Sequence, residues 1–320
     1  MRDRATRLKR RVARGDKSPR ATRLDVAGLS PWARLKNSWF IFALPALIFV
    51  AVFWLVALAI NIYLAFTDWN SFRSETSFVG FENFSAMYVQ GTLVNAIRLT
   101  FIFALVTMLV QNLAGLGMAL IYEKDSPANT FFRSLFFVPV LLSFLAVGFV
   151  WRGLLQPAGL VNSVLSLFVP GSIDKAWLAD PTWSIVVIAL INAWMWTGMS
   201  ALIYLANLKA IPTDLVEASV VDGASAWQRF RHIKFPLLGP ALTFNITLTF
   251  IGSLNVFDMV VATTRGGPGR STRVLNVLIR DQFAQGLFAF ASATNLIVTI
   301  MIVTITIPLV WLLRAREVEL

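Results

Sequence analysis

Residues 209–236 read KAIPTDLVEASVVDGASAWQRFRHIKFP, a polar stretch between two long apolar runs at 183–208 and 237–262. Within it, apolar residues recur at helical spacing on both sides of Gly223, and glycine permits a backbone turn where other residues resist. The pattern predicts two short amphipathic helices joined at Gly223, with Asp214 as the cap of the first helix. Two membrane-length runs joined by a polar hairpin indicate a helical membrane protein.

The composition of the whole chain agrees with that class. Its 320 residues are 57% hydrophobic and 14% charged, whereas soluble domains carry about 25% charged residues. So apolar a chain cannot cover its surface with polar groups, which excludes an ordinary soluble enzyme. The chain has no cysteine and a single histidine, His232, which we expect at the surface. We therefore predict no catalytic residue, no metal site and no cofactor.

Six apolar runs are long enough to cross a bilayer, which takes about 20 residues. They cover about 39–66, 96–121, 131–151, 183–208, 237–262 and 288–313. The predicted fold class is an all-α membrane protein with six transmembrane helices. Between the runs, residues 152–182 are expected to hold a short surface helix, and residues 263–287 a helical stretch after GGPG.

The basic residues are unevenly distributed, which predicts both the topology and the domain organisation. Twelve of the 28 lysines and arginines lie in residues 1–36, predicted to be a disordered cytoplasmic tail that contacts lipid rather than nucleic acid. A transmembrane domain follows at 37–313, and a short cytoplasmic tail at 314–320. If residues 1–36 are cytoplasmic, the segments on the cytoplasmic side hold 20 basic residues and those on the outer side hold eight. Both termini are therefore predicted to be cytoplasmic. The predicted outer loop 263–281 does not fit this excess of basic residues on the cytoplasmic side, because it holds four arginines. These arginines could pair with a partner's acidic surface.

The polar hairpin resembles the EAA loop of permease subunits of ABC importers. That motif reads Glu-Ala-Ala, then a glycine and a later Ile-x-Leu-Pro, and Glu217-Ala218-Ser219, Gly223 and Ile233–Pro236 match it with mild departures at Ser219 and Phe235. The runs FTDWN at 66–70, VGFENF at 79–84, TTRGGPGRSTRVL at 263–275 and GLFAFASA at 286–293 are similar to the carbohydrate-importer branch, which includes the maltose and glycerol-3-phosphate systems.

The resemblance implies a set of partners and a location. Permeases of this family pair with a second, homologous permease subunit and with two ATPase subunits, and an extracellular binding protein delivers the substrate. They are multi-pass proteins of the bacterial cell membrane and are not enzymes, in keeping with the absence of a G-x-x-x-x-G-K-[ST] loop here. The motif positions that it assigns to ATPase coupling are Glu217, Ala218, Asp222, Gly223 and Ala224. Arg229 and Arg231 either pair with the ATPase or face solvent and lipid headgroups.

Polar side chains within the spans are the candidates for a sugar path, because a polar group at membrane depth is costly. Amides hydrogen-bond sugar hydroxyls, and aromatic faces stack on sugar C–H surfaces. The predicted path residues are Asn192, Trp196, Ser253, Asn255, Phe257, Asp258 and Asn295. Gln111 and Asn112 are further candidates. Such residues can instead bond one helix to another, and Asp258 could pair with Arg265 or Arg270.

Two other functions stay open at this point. The same machine could import glycerol-3-phosphate or another polyol, although the spans contain almost no basic residues. An ATP-independent secondary transporter is the alternative from a different class, and such carriers usually show internal repeats with broken helices in corresponding positions. No such repeat is evident in the sequence.

Overall fold

The computed structural model describes residues 40–72, 75–168, 174–315 and 317. The predicted disordered tail, 1–36, lies outside the described residues. The chain divides into two compact units, 1–59 and 60–320. In the first unit, helix α1 (Phe40–Val50) and a π-helical stretch (Ala51–Val56) expose nearly every apolar side chain from residue 43 onward. Such a surface is expected of a segment whose solvent is lipid.

In the second unit the described residues form helices and loops, and their one β feature is an isolated bridge between Thr67 and Phe78. Helix α2 (Ala57–Ala65) carries the chain into it. The remaining helices are α3 (Glu82–Val89), α4 (Thr92–Ile121), α5 (Pro127–Phe137), α6 (Phe144–Leu154), α7 (Leu160–Leu165), α8 (Ser184–Ala210), α9 (Thr213–Val221), α10 (Ala226–Arg229), α11 (Phe235–Leu237), α12 (Gly239–Leu254), α13 (Asp258–Thr263), α14 (Leu275–Ala284) and α15 (Phe288–Arg314). The expected surface helix is α7, and the expected helical stretch after GGPG is α14.

Four helices in the described residues are long and apolar enough to cross a membrane, and the number rises to six if each of two bent pairs is one span. The four are Ala43–Ala65, α4, α8 and α15. The all-helical membrane class is therefore confirmed. The count of six spans stays a prediction, because the third and fifth runs bend or break within the apolar sequence.

The third run is bent by 102° between Pro127–Leu141 and α6. Pro139 lies in the 3-10 turn Val138–Leu141, where it lacks the N–H that would continue an α-helix. Ser143 then caps the next helix by accepting a hydrogen bond from the Ala146 amide at 3.2 Å. A proline followed by a capping serine thus divides the apolar run into two legs.

The fifth run bends at its start and breaks near its end. The segment Ala226–Leu237 meets α12 at 67°, next to the Gly239-Pro240 pair that opens α12. Helix α12 stops at Leu254, and α13 begins only at Asp258. Three residues of irregular backbone therefore separate α12 from α13.

Helix α8 is the centre of the unit, with two thirds of its apolar window buried. Small residues let its neighbours approach closely. A Cβ on Gly115 of α4 would lie 2.7 Å from the Ser200 Cβ, and one on Gly198 would lie 2.2 Å from the Phe136 carbonyl oxygen of α5. Helices α4 and α5 are thus fixed on α8 at backbone distance.

Candidate functional site

A cavity of about 350 Å³ lies in the second unit beside the break between α12 and α13. Helices α4, α8 and α12 supply much of its wall, and α6 adds Phe144. Six of the seven predicted path residues line it: Asn192, Trp196, Ser253, Asn255, Phe257 and Asp258. Residues predicted from two separate spans therefore converge on one space.

The break in the fifth run forms one side of this cavity. Asn255 ends α12, and Phe257 precedes α13 in an irregular conformation with φ −144° and ψ −61°. Irregular backbone at membrane depth is tolerated only where protein buries it or where it lines a water-filled space. The break lines the cavity, so the irregular backbone and the polar lining occur at the same place.

Asn192 is the most distinctive lining residue. It is 8% exposed, yet within the described part of the chain its amide has no hydrogen-bond partner. Buried amides in proteins are nearly always bonded, so this one is positioned to bond a solute or water in the cavity. Trp196 lies one turn further along α8, and its ring centroid is 6.4 Å from that of Phe144. An unpaired amide beside two aromatic rings suits a ligand with hydroxyls and apolar faces.

The polar residues at the break are more exposed. The Asn255 side-chain amide nitrogen donates to the Ile251 carbonyl at 3.1 Å. Asp258 has no ion-pair partner among the residues that the structure describes. The alternative in which Asp258 pairs with Arg265 or Arg270 is therefore wrong. Asp258 also borders a second cavity that Arg152 and Arg265 line, so this residue is shared by the two spaces.

Asn295 is not brought to this cavity. Its side-chain amide donates to the Asn61 oxygen at 3.3 Å, and its carbonyl accepts from Thr299 at 3.0 Å. Both contacts hold α15 to itself and to α2. The geometry favours the helix-bonding role for this residue.

A buried polar network, three members of which line the cavity, includes residues that the sequence did not reveal. The Tyr204 hydroxyl and the Asn245 amide both donate to the Asn112 oxygen, at 2.5 and 2.9 Å. Gln111 donates to the Ser200 hydroxyl at 2.8 Å. The sequence indicates Gln111 and Asn112 as candidates but does not indicate Ser200, Tyr204 or Asn245. Ser200 and Tyr204 stand four residues apart on α8, a spacing that places both on one helix face and could have revealed them.

The hairpin has the bend at Gly223 that the sequence predicts. Gly223 has φ +79°, its amide donates to the Val220 carbonyl, and the Ala224 amide donates to the Ser219 carbonyl. These two bonds form a Schellman motif, in which a glycine after the last helical residue ends the helix. The Asp214 prediction is wrong, because α9 begins at Thr213 after Pro212 and has no side-chain cap.

The second arm of the hairpin has a cap that the sequence reasoning overlooked. Ser225 accepts from the Gln228 amide at 3.3 Å, and the Gln228 side chain accepts from the Ser225 amide at 2.7 Å. This reciprocal pair is a capping box. Helix α10 then passes into a π-helical stretch, Phe230–Lys234, where the exposed His232 lies as expected.

The tip of the hairpin is an open surface with both polar and apolar groups. Four of the predicted coupling residues, Glu217, Ala218, Asp222 and Gly223, are exposed, and Ala224 is half-buried. Val221 is 88% exposed beside them, and Trp227 follows on the second arm. Arg229 donates to the Ala224 carbonyl at 2.6 Å and so supports the bend from within.

Comparisons with known proteins agree with this geometry. The family described as "Binding-protein-dependent transport system inner membrane component" matches residues 111–317. The "Probable starch degradation products transport system permease protein AmyD" of Thermoanaerobacterium thermosulfurigenes is 31% identical over 88% of this chain and 96% of its own. The "Trehalose/maltose transport system permease protein MalF" of Thermococcus litoralis is 28% identical over 84% of this chain and 90% of its own.

A solved structure has the same fold. It is the crystal structure of a "bacterial alginate ABC transporter in complex with alginate pentasaccharide-bound periplasmic protein". One of its chains aligns with a TM-score of 0.74 over 87% of this chain and 95% of its own length, at 21% identity.

Proposed function

This chain belongs to the family of inner membrane components of binding-protein-dependent transport systems, and from that premise we propose that it forms half of the path for a sugar. It is an ABC transporter permease rather than an enzyme, and it lies in the membrane as a multi-pass protein. The proposed substrate is an uncharged di- or oligosaccharide. The proposed location is the bacterial cytoplasmic membrane, with both termini on the cytoplasmic side.

The cavity beside the broken fifth run is the observation that carries this proposal. Binding sites for small molecules are concave and largely apolar, with a few placed polar groups. Here, Trp196 and Phe144 supply the apolar faces, and Asn192, Ser253 and Asn255 supply hydrogen-bonding groups. That combination fits a carbohydrate, since each sugar ring has hydroxyl edges and C–H faces.

The charge of the cavity lining separates a sugar from the phosphorylated alternative. Asp258 is its one ionisable residue, and neither lysine nor arginine is among the residues that line it. A phosphate there would meet a carboxylate with no compensating cation, which costs free energy in a space of low dielectric constant. The lining therefore favours an uncharged sugar over glycerol-3-phosphate.

The hairpin is the proposed site of ATPase coupling. Its exposed bend presents Glu217, Ala218 and Asp222 around a glycine that has no side chain to fill a partner's groove. We propose that two ATPase subunits, a second homologous permease and an extracellular binding protein complete the transporter. The names of the relatives and the periplasmic protein in the alginate complex support these partners.

Uptake into proteoliposomes tests the proposal. The complex of this chain with its second permease, ATPase subunits and binding protein should import a labelled maltodextrin only with ATP at the ATPase face. Glycerol-3-phosphate should not compete. This chain reconstituted alone should import nothing. Uptake by the chain alone, driven by an ion gradient, would establish the secondary-transporter alternative instead.

A further inference from the structure

Both ends of the hairpin insertion, 209–236, are tied to the same turn. This turn, which we call the α4–α5 turn, comprises residues 122–126. At one end, Lys209 Nζ lies 2.5 Å from Asp125 Oδ1; at the other, Lys234 Nζ lies 2.7 Å from both carboxylate oxygens of Glu123. The paired residues are 84 and 111 positions apart in the chain. The fold, and not local sequence, therefore brings these charges together.

The two ion pairs differ in how well they are shielded from water. The Lys234 side chain is 18% exposed and Glu123 is half-buried, so their attraction is only weakly screened. Asp125 is 74% exposed, and exposed pairs contribute little. Hydrogen bonds from Lys209 and Arg133 nevertheless hold the pKa of the Asp125 carboxyl below its usual range. The Glu123–Lys234 pair is the stronger of the two links.

The α4–α5 turn is also attached to the first leg of the third run. Arg133 of α5 donates to Asp125 at 3.2 Å and to the carbonyl oxygens of Tyr122 and Lys124. The Ser126 hydroxyl caps α5 by accepting a hydrogen bond from the backbone N–H of Asn129. Because three bonds from one guanidinium and a cap hold the turn to α5, a displacement of the turn displaces α5 as well.

Helix α5 leads from this turn to the wall of the cavity. After the 102° bend, α6 begins at Phe144, which lines the cavity opposite Trp196. The Gly198 backbone lies directly against the Phe136 carbonyl, so α5 is in close contact with α8. Helix α5 therefore connects the turn to α8 and, beyond the bend, to Phe144.

We propose that Glu123 and Lys234 are positioning residues for coupling, which join the hairpin and the α4–α5 turn into one body that moves α5 and the cavity wall. The inference rests on the proposed role of the hairpin as the ATPase contact. It assigns a transmitting role to a turn outside the EAA-like motif.

Charge substitutions in the complete reconstituted transporter test the role of the pair. Glu123→Gln and Lys234→Gln should each lower the sugar imported per ATP hydrolysed by about fivefold or more, the lower end of typical coupling between sites. The exchange Glu123→Lys with Lys234→Glu should recover at least half of the wild-type ratio, since it restores the attraction. Lys124→Gln is the matched control, because this side chain has no ion pair among the described residues. The control should keep the wild-type ratio.

A cross-link tests the claim that the two segments move together. The natural chain has no cysteine, so Glu123→Cys with Lys234→Cys offers one reactive pair within this subunit for a short bifunctional reagent. Because the double cysteine variant lacks the ion pair, it should show the lowered ratio of sugar imported per ATP before cross-linking, and the cross-linked complex should recover at least half of the wild-type ratio. Loss of import on cross-linking would overturn the inference, because it would mean that hairpin and turn separate during transport.

The outcomes distinguish this inference from the proposed function. If the wild-type complex shows no ATP hydrolysis stimulated by its binding protein, the proposed function itself is wrong. If the wild type is coupled and both glutamine variants equal it, only the role of Glu123 and Lys234 is refuted. Failure of the charge exchange to recover coupling in a normally assembled complex refutes that role equally. So does loss of assembly in all three variants, which would show that the pair only supports folding.

Discussion

The hairpin and the cavity are two proposed functional regions built in opposite ways. The hairpin bend depends on contacts within a few residues, from the Ser219 carbonyl to the Gln228 side chain. The cavity collects residues between Gln111 and Met259 from four or more helices. The shape of a local motif is therefore determined by residues close together in the chain, whereas a cavity exists only after the helices have packed.

The largest effect is expected at the cavity, from Asn192→Ala. Because this amide has no protein partner in the described residues, its removal should leave the helices in place. Only a hydrogen bond to the solute should be lost. Leaving a buried sugar hydroxyl unpaired costs about 1–3 kcal/mol, or roughly five- to hundredfold in apparent affinity. The measurement is the sugar concentration that gives half-maximal uptake by the complete transporter.

Asn295→Ala is the matched control for that change. It removes the same amide from a membrane span, but its partner is Asn61 rather than the cavity. Sugar affinity should stay within about twofold of wild type, while thermal stability falls by the roughly 1 kcal/mol that one hydrogen bond contributes. Equal losses of affinity in both variants would remove the distinction between path and scaffold.

A smaller effect is expected at the hairpin, from Gly223→Asp. At φ +79° a side chain costs about 1 kcal/mol or more, although no atom within 4 Å obstructs it. Strain together with added bulk and charge at the tip should lower binding-protein-stimulated ATP hydrolysis about tenfold, with the spans still inserted.

Gly91→Asp distinguishes strain from contact. Gly91 has φ +69° and equally open surroundings, but it lies before α4, at the end of the span opposite the α4–α5 turn. Its substitution should carry the same backbone strain and leave stimulated hydrolysis near wild type. A tenfold loss in both variants would mean that general destabilisation, and not hairpin contact, explains the result.

The same contrast explains how much the sequence could predict. The hairpin followed from helical spacing and one glycine. Six of the seven predicted path residues line the cavity; polarity within apolar runs indicated four of them, and aromatic faces indicated Trp196 and Phe257. The bend of the third run was also readable, because Pro139 and Ser143 are ordinary signals for ending and starting helices. Run length and hydropathy alone predict one continuous helix here, and these two criteria do not reveal the bend.

The break in the fifth run had no comparable signal. Neither glycine nor proline occurs in residues 253–262, and hydropathy alone favours a continuous helix. In the structure Val256 and Met259 are buried in the main apolar cluster, and the Asn276 side-chain amide donates a hydrogen bond to the Val256 carbonyl. These tertiary contacts stabilise the irregular backbone, so its position could not be read from local propensity. The charge pairs of the α4–α5 turn were hidden for the same reason, since their partners are 84 and 111 residues away.

The smallest expected effect tests whether the hairpin is as local as its bonds indicate, through Ser225→Ala. The capping box of Ser225 and Gln228 satisfies two amide groups at the start of α10. Loss of such a cap costs about 1 kcal/mol, which corresponds to roughly fivefold faster hydrogen exchange of the first α10 amides if these exchange by local opening. Ser225→Asp retains an acceptor and should exchange at the wild-type rate. Exchange should stay unchanged at Asn192 and elsewhere on α8, because a local element opens without disturbing the helices around the cavity. Faster exchange along α8 in Ser225→Ala would show that hairpin and cavity open as one unit, and the distinction between a local and an assembled site would fail.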